Sequence, residues 1–135
     1  MLGAWQVSLL AIVALGTVVP AVRSGKLGGW FDVDPQDKGL QKALTFAMLE
    51  YNEGSNDMYR RQIMTIIKAR KQIVSGAKYE VKVVTGLTSC LKTDPENEVC
   101  SFHASPELLQ RSTCIFNVLT VPWLKKVELK SKRCQ

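Results

Sequence analysis

The sequence predicts an α+β domain in which one long helix packs on a curved antiparallel sheet of four to five strands. Three observations predict it. Apolar residues recur at three- and four-residue steps between Gly39 and Asn52, a β-branched run from Arg61 to Val74 leads into the alternation of Tyr79, Val81 and Val83, and two further strand-like segments close the chain. An amphipathic helix laid on one face of a hairpin-built sheet covers the apolar side of both elements at once.

The chain opens on an apolar leader. Leu9 to Val19 is almost unbroken in its hydrophobicity, and Val19-Pro20-Ala21 supplies small residues after it. This is the pattern of a secretory signal peptide, although Met1 to Ser8 contains neither Lys nor Arg. The stretch is too short to serve as a membrane span. Residues 1–21 are therefore expected to be a signal peptide, with Ser24 the other candidate boundary, and residues 22–135 a single secreted, extracellular domain. No second apolar run of spanning length follows, so no membrane anchor is expected.

In the helix, Leu40, Ala43, Leu44, Ala47, Met48 and Tyr51 fall on one side, while Gln41, Lys42, Thr45 and Glu50 fall mostly on the other. Asp34-Pro35 and Asp37 are start signals, and Asn52-Glu53-Gly54 is a stop. The isoleucine-rich segment Arg61 to Val74 has the imperfect alternation of a long strand curving over a helix. The next strand alternates Tyr79, Val81, Val83 with Lys78, Glu80, Lys82. Between them Val74-Ser75-Gly76-Ala77 is short enough for a tight hairpin, in which Gly76 can adopt positive φ. Ser89 to Ser112 carries turn chemistry at Asp94-Pro95-Glu96-Asn97 and Ser105-Pro106 and shows no apolar period, so it is expected to be irregular. Cys114 to Val121 and Leu124 to Lys130 are the last two strands, with Pro122-Trp123 in the hairpin between them. Sequential hairpins bring the turn at Gly76 and the turn at Pro122-Trp123 to the same end of the sheet. A short strand before the helix is also compatible with the pattern.

Cys90, Cys100, Cys114 and Cys134 form an even set, which in a secreted chain implies two disulfides. Three pairings are open to four cysteines; Cys90–Cys100 with Cys114–Cys134 is the simplest. No CxxC spacing occurs, so a zinc site is not expected, and nothing calls for another metal or a cofactor. The net charge of +6 is spread over Arg60-Arg61, Lys68 to Lys71, Lys125-Lys126 and Lys130 to Arg133. Without interleaved aromatics to stack bases, these cations read as solvated strand faces and not as a nucleic-acid site. No Asn-x-Ser/Thr acceptor is present.

Three separated motifs then stand in a defined order: Gly28-Gly29 after the leader, Gln72-Ile73-Val74-Ser75-Gly76 at the first hairpin, and Pro122-Trp123 at the last. With the four cysteines, the helix stretch Ala43-Leu44-Thr45-Phe46-Ala47 through Glu50-Tyr51-Asn52, and Ser55-Asn56-Asp57-Met58-Tyr59 after it, the mature sequence resembles the type 2 cystatins over essentially its whole length. The resemblance implies a reversible, non-covalent inhibitor of papain-like cysteine proteases of the cathepsin class. In that family the N-terminal segment and two hairpin turns form a wedge that occludes the protease cleft. Carried over to this chain, the wedge comprises Leu27, Gly28, Gln72, Ile73, Val74, Ser75, Gly76, Pro122 and Trp123. Gly28 would be a hinge letting Leu27 and Lys26 reach the non-primed subsites, Ile73 and Val74 apolar contacts, and Trp123 a rigid anchor held by Pro122. Two departures bear on strength and selectivity: Trp30-Phe31 stands where the family often has proline, and Lys26 where it commonly has an apolar residue. The resemblance also implies a second, separate site for legumain at Ser55, Asn56 and Asp57; as turn-forming residues, these three equally suit a loop after the helix. A monomer is expected.

Catalysis has little support. The only histidine, His103, lies near Cys100, but a Cys-His pair needs a free thiolate that an even disulfide set does not leave. Asp94 and Glu96, beside a proline, read as loop residues. The other class of function open to the chain is a basic binding module for glycans, membranes or microbes with weak or no inhibition. The presence of both hairpin motifs argues against it.

Overall fold

A computed structural model describes residues 29–135. The expected signal peptide, Lys26, Leu27 and Gly28 lie outside the described residues. The chain forms β1 (Trp30–Asp32), α1 (Lys38–Gly54), β2 (Tyr59–Val74), β3 (Gly76–Leu91), a one-turn helix α2 (Pro106–Leu109), β4 (Ser112–Val121), a 3₁₀ turn (Pro122–Leu124) and β5 (Lys126–Cys134). The five strands form one antiparallel sheet in sequence order, β1-β2-β3-β4-β5, and α1 lies across one face.

Helix α1 begins where an acceptor is available: the Asp37 carboxylate takes a hydrogen bond from the Leu40 N–H at 2.9 Å, satisfying one of the donors a first turn leaves open. Its inward stripe is Leu40, Ala43, Leu44 and Ala47, all buried. These meet Ala69 of β2, Tyr79, Val81 and Val83 of β3, and Cys114, Phe116 and Val118 of β4. Alanine at two of the four helix positions brings the helix backbone close to the sheet. Each large side chain in this layer contributes roughly 1.5–3 kcal/mol by leaving water. The helix ends at Gly54, and Asn52 ties its last turn to the sheet through a reciprocal pair of hydrogen bonds: Asn52 Nδ2 donates to the Arg61 carbonyl at 3.0 Å, and the Arg61 N–H donates to Asn52 Oδ1 at 2.9 Å.

Register shifts near Tyr59, Ile63 and Ile66 account for the broken alternation of β2, since each displaces the side-chain pattern and bends the strand. Two segments differ from the sequence expectation. The region 89–112 is less irregular than predicted: β3 continues to Leu91, Thr88 bridges to Phe102, and α2 spans Pro106–Leu109. These pieces are too short for a period to register in the sequence. The last strand starts at Lys126 and not Leu124, because Pro122–Leu124 forms a 3₁₀ turn closed by Lys125 in the left-handed conformation (φ 50°).

Two disulfides are present. Cys90–Cys100 closes the loop beyond β3, and Cys114–Cys134 staples the open ends of β4 and β5.

Candidate functional site

The β2–β3 turn is as tight as the sequence permits. Val74 pairs with Gly76 across Ser75, and Gly76 has φ +111°, a conformation that side-chain-bearing residues rarely adopt. Glycine is required there for a second reason. A Cβ at this position would overlap the backbone carbonyl oxygen of Thr120 and press on Val121 Cγ2 at 3.1 Å. Thr120 and Val121 are the last residues of β4, and β3 pairs with β4 through Ala77 and Thr120. The first hairpin tip therefore rests on the base of the second, and the two project together from one end of the sheet.

The side chains at this end are unusually apolar for a surface. Ile73 is 50% exposed, Val74 39%, and Trp123 and Leu124 65% each. Trp123 is not a core tryptophan. Leu124 was assigned to a strand by sequence reasoning. The left-handed Lys125 that follows it moves it onto the tip beside Trp123, and the one sequence signal of this was the proline two residues before it. Ser75 is exposed, and Gln72 lies on β2 opposite Trp30. The antiparallel β1–β2 pair runs Trp30↔Gln72, Phe31↔Lys71, Asp32↔Arg70, so the Trp30 end of β1 is the end nearer the Val74 end of β2. Gly29, the first described residue, precedes it; Gly28 and Leu27, the other expected members of the edge, are outside the described residues.

Ser55, Asn56 and Asp57 are at the far end of β2, roughly 50 Å of strand from the Gly76 turn at about 3.3 Å per residue. Their loop is well supported. Lys92 Nζ donates to the Ser55 carbonyl at 2.6 Å and to its hydroxyl at 2.7 Å, and the Asp57 N–H donates to the same hydroxyl at 3.3 Å. Asn56, at the apex, is exposed. The structure thus keeps the two predicted sites apart.

The remaining chemistry-bearing residues are engaged structurally. His103 donates its backbone N–H to Leu87 and presents its ring edge-on to Tyr59, with centroids 4.6 Å apart. Cys100 is disulfide-bonded, and no free cysteine occurs among the described residues, so no thiolate stands beside the imidazole. The Asp94 carboxylate accepts from the Leu91 N–H at 2.7 Å and shapes its own turn. Ile73, Val74, Trp123 and Leu124 offer apolar side chains at the end of the sheet where the two hairpins project.

Comparison with known proteins identifies the family and agrees with the fold. The family model for the cystatin domain matches residues 28–123. Cystatin from Gallus gallus is 42% identical over 93% of this chain and 91% of its own length. Cystatin-C from Oryctolagus cuniculus is 47% identical over 81% and 74%, and cystatin-C from Homo sapiens 41% over 94% and 92%. Among solved structures, dimeric human cystatin F superposes with a TM-score of 0.74 at 30% identity, covering 85% of this chain and 90% of that one. The salivary cystatin of the soft tick Ornithodoros moubata shares the fold, with a TM-score of 0.64 at 22% identity over 80% of this chain and 97% of its own. With its family match, these relatives and its two disulfides, the chain belongs to the cystatin family, as a type 2 cystatin.

Proposed function

We propose that this type 2 cystatin is a secreted, monomeric inhibitor that blocks papain-like cysteine proteases of the cathepsin class by occupying their active-site cleft reversibly and without covalent chemistry. Inhibition of cysteine proteases is the activity of the family. The finer reading assigns it to Gln72, Ile73, Val74, Ser75 and Gly76 on one tip and Pro122 and Trp123 on the other, with Leu27 and Gly28 completing the edge; Leu124 joins them on exposure.

One observation carries the reading. Gly76 seats against the Thr120 carbonyl, so two apolar tips form a single projecting edge. A rigid edge loses little conformational freedom on binding, and an exposed tryptophan of this kind is a common energetic anchor at protein interfaces. The reading extends to a second site, in which Asn56 on its Lys92-supported loop is offered to legumain, an asparagine-specific cysteine protease.

The direct test is titration of papain with the oxidised domain while hydrolysis of a small substrate is followed. Stoichiometric inhibition, reversible on dilution and lost in Trp123→Ala, supports the edge. A folded sample that leaves papain fully active at micromolar concentration overturns the proposal.

A further inference from the structure

The face of the sheet opposite α1 carries a row of cations that the inhibitory edge does not use. The register sets Lys68 of β2 opposite Lys82 of β3, Lys82 opposite Ile115 of β4, and Ile115 opposite Arg133 of β5. Residues directly opposite in a ladder share a face. Lys82 lies between Val81 and Val83, both fully buried under α1, so the row faces the other way. Lys68, Lys82 and Arg133 are all exposed.

On β2 and β5 the other basic residues are already engaged, Arg60 and Arg61 by backbone carbonyls. Among the described residues Lys38, Lys42, Lys78, Arg111 and Lys125 are unpaired like the row but do not lie in it. Arg70 pairs with Glu80 and lies over the Trp30 ring at 5.0 Å. Lys126 and Lys130 each lie 3.6 Å from Glu128, and Lys71 and Lys132 cover the rings of Tyr79 and Tyr51. Among the described residues Lys68, Lys82 and Arg133 have no ion pair, side-chain hydrogen bond or ring contact. A lysine directly opposite a lysine is unfavourable within a sheet, and a bound anion, attracted to both, would offset that repulsion.

We propose that this row is a binding strip for a linear sulfated polysaccharide, a glycosaminoglycan-type polyanion. The strip crosses four strands, about 14 Å at roughly 4.8 Å per strand interval, so it is long and narrow. It is bordered on one side by Thr65, Val84 and Thr113, a row without charge, and on the other by the Arg70–Glu80 pair with Asn117 and Ser131. Cations along the middle suit sulfates spaced along a chain, and the flanking hydroxyls and amide suit sugar hydroxyls. The row contains no aromatic ring to stack a base, and its one apolar member, Ile115, is half-buried and does not project as a wedge into a bilayer. Lys82 is six residues along β3 from Gly76, roughly 20 Å at about 3.3 Å per residue, which leaves the edge clear. Such binding would hold the inhibitor on a sulfated matrix while its edge stays free.

The test uses the oxidised domain on immobilised heparin at physiological salt, with calorimetry against soluble heparin. The wild type is retained, and the triple variant Lys68→Gln, Lys82→Gln, Arg133→Gln loses affinity on the order of a hundredfold, as three cations at an anionic surface should. A control triple with the same loss of charge elsewhere, Lys38→Gln, Lys42→Gln, Arg111→Gln, keeps most of it. Papain inhibition is unchanged in both triples, which separates this proposal from the inhibitory reading. Equal losses in the two triples, or passage of the wild type through the column, overturn the strip. Retention on phosphatidylserine vesicles but not on heparin does so too. Should the triple variant fold poorly, Lys82→Gln alone serves the same test, since it removes the central charge and the like-charge opposition together.

Discussion

Gly76 packs so closely on the Thr120 carbonyl that no side chain fits between them, and this contact joins the two hairpin tips into one edge. Positive φ at Gly76 lets β2 reverse within a single unpaired residue, Ser75, and the missing Cβ lets β4 pass directly behind the turn. The conformation and the contact are separate demands on the same position.

Gly76→Ala should therefore fail on both counts. The left-handed conformation alone costs on the order of 1–3 kcal/mol at a non-glycine residue, and the overlap with Thr120 adds to it. The turn can escape only by shifting away from β4, which separates the tips. The expected result is a lower midpoint in urea unfolding together with a fall in papain affinity larger than the stability loss explains. A variant with wild-type stability and wild-type inhibition would show that the close approach is unimportant.

Trp123→Ala should separate stability from binding in the opposite way. With 65% of its surface exposed, the indole contributes little to the core. Thermal stability should stay within about 0.5 kcal/mol of wild type, as is usual for surface substitutions, while papain affinity falls by about 2 kcal/mol or more, the range of interface anchors. Thermal melts and inhibition constants on the same preparation check both. A large drop in melting temperature would mean that Trp123 supports the hairpin itself.

Much of this was legible in the sequence because α1 and β3 obey single periods. Leu40, Ala43, Leu44 and Ala47 are buried where a helical repeat puts them, and Tyr79, Val81 and Val83 where alternation does. Gly76 was legible for its turn but not for Thr120, since a contact between residues 44 positions apart leaves no local mark. Leu124 was misplaced because apolar alternation cannot distinguish a strand from a 3₁₀ turn followed by a left-handed lysine. The cationic row was hidden as well: Lys68, Lys82 and Arg133 look scattered along the chain, and only the register aligns them.

Asn56→Ala should leave papain inhibition unchanged and remove inhibition of legumain. Asn56 is exposed at the end of the sheet remote from Gly76, and its loop is held by Lys92 through Ser55 and not by the Asn56 side chain. The two proteases should accordingly bind at once, giving a ternary complex by size-exclusion chromatography. Competition between papain and legumain for the wild-type protein would contradict the separation of the two sites.

The loop beyond β3 has two tethers, and they should prove partly redundant. Cys90–Cys100 closes it covalently, while the Arg60 guanidinium donates to the carbonyls of Lys92, Asp94 and Pro95. Replacing both cysteines by alanine should cost about 2–4 kcal/mol, mainly through the freedom returned to the unfolded chain. Arg60→Ala alone should cost less, since the disulfide still confines the carbonyls it leaves. Made together, the changes should cost more than their sum, because each tether limits the disorder that loss of the other permits. Lys92 sits at the edge of this loop and holds Ser55, so the combined variant should also expose the backbone amides around residues 55–57 to hydrogen exchange. Papain inhibition should persist, as the edge at Gly76 and Trp123 is at the opposite end of the sheet. Strict additivity of the two changes in urea unfolding would show that the tethers act on independent segments.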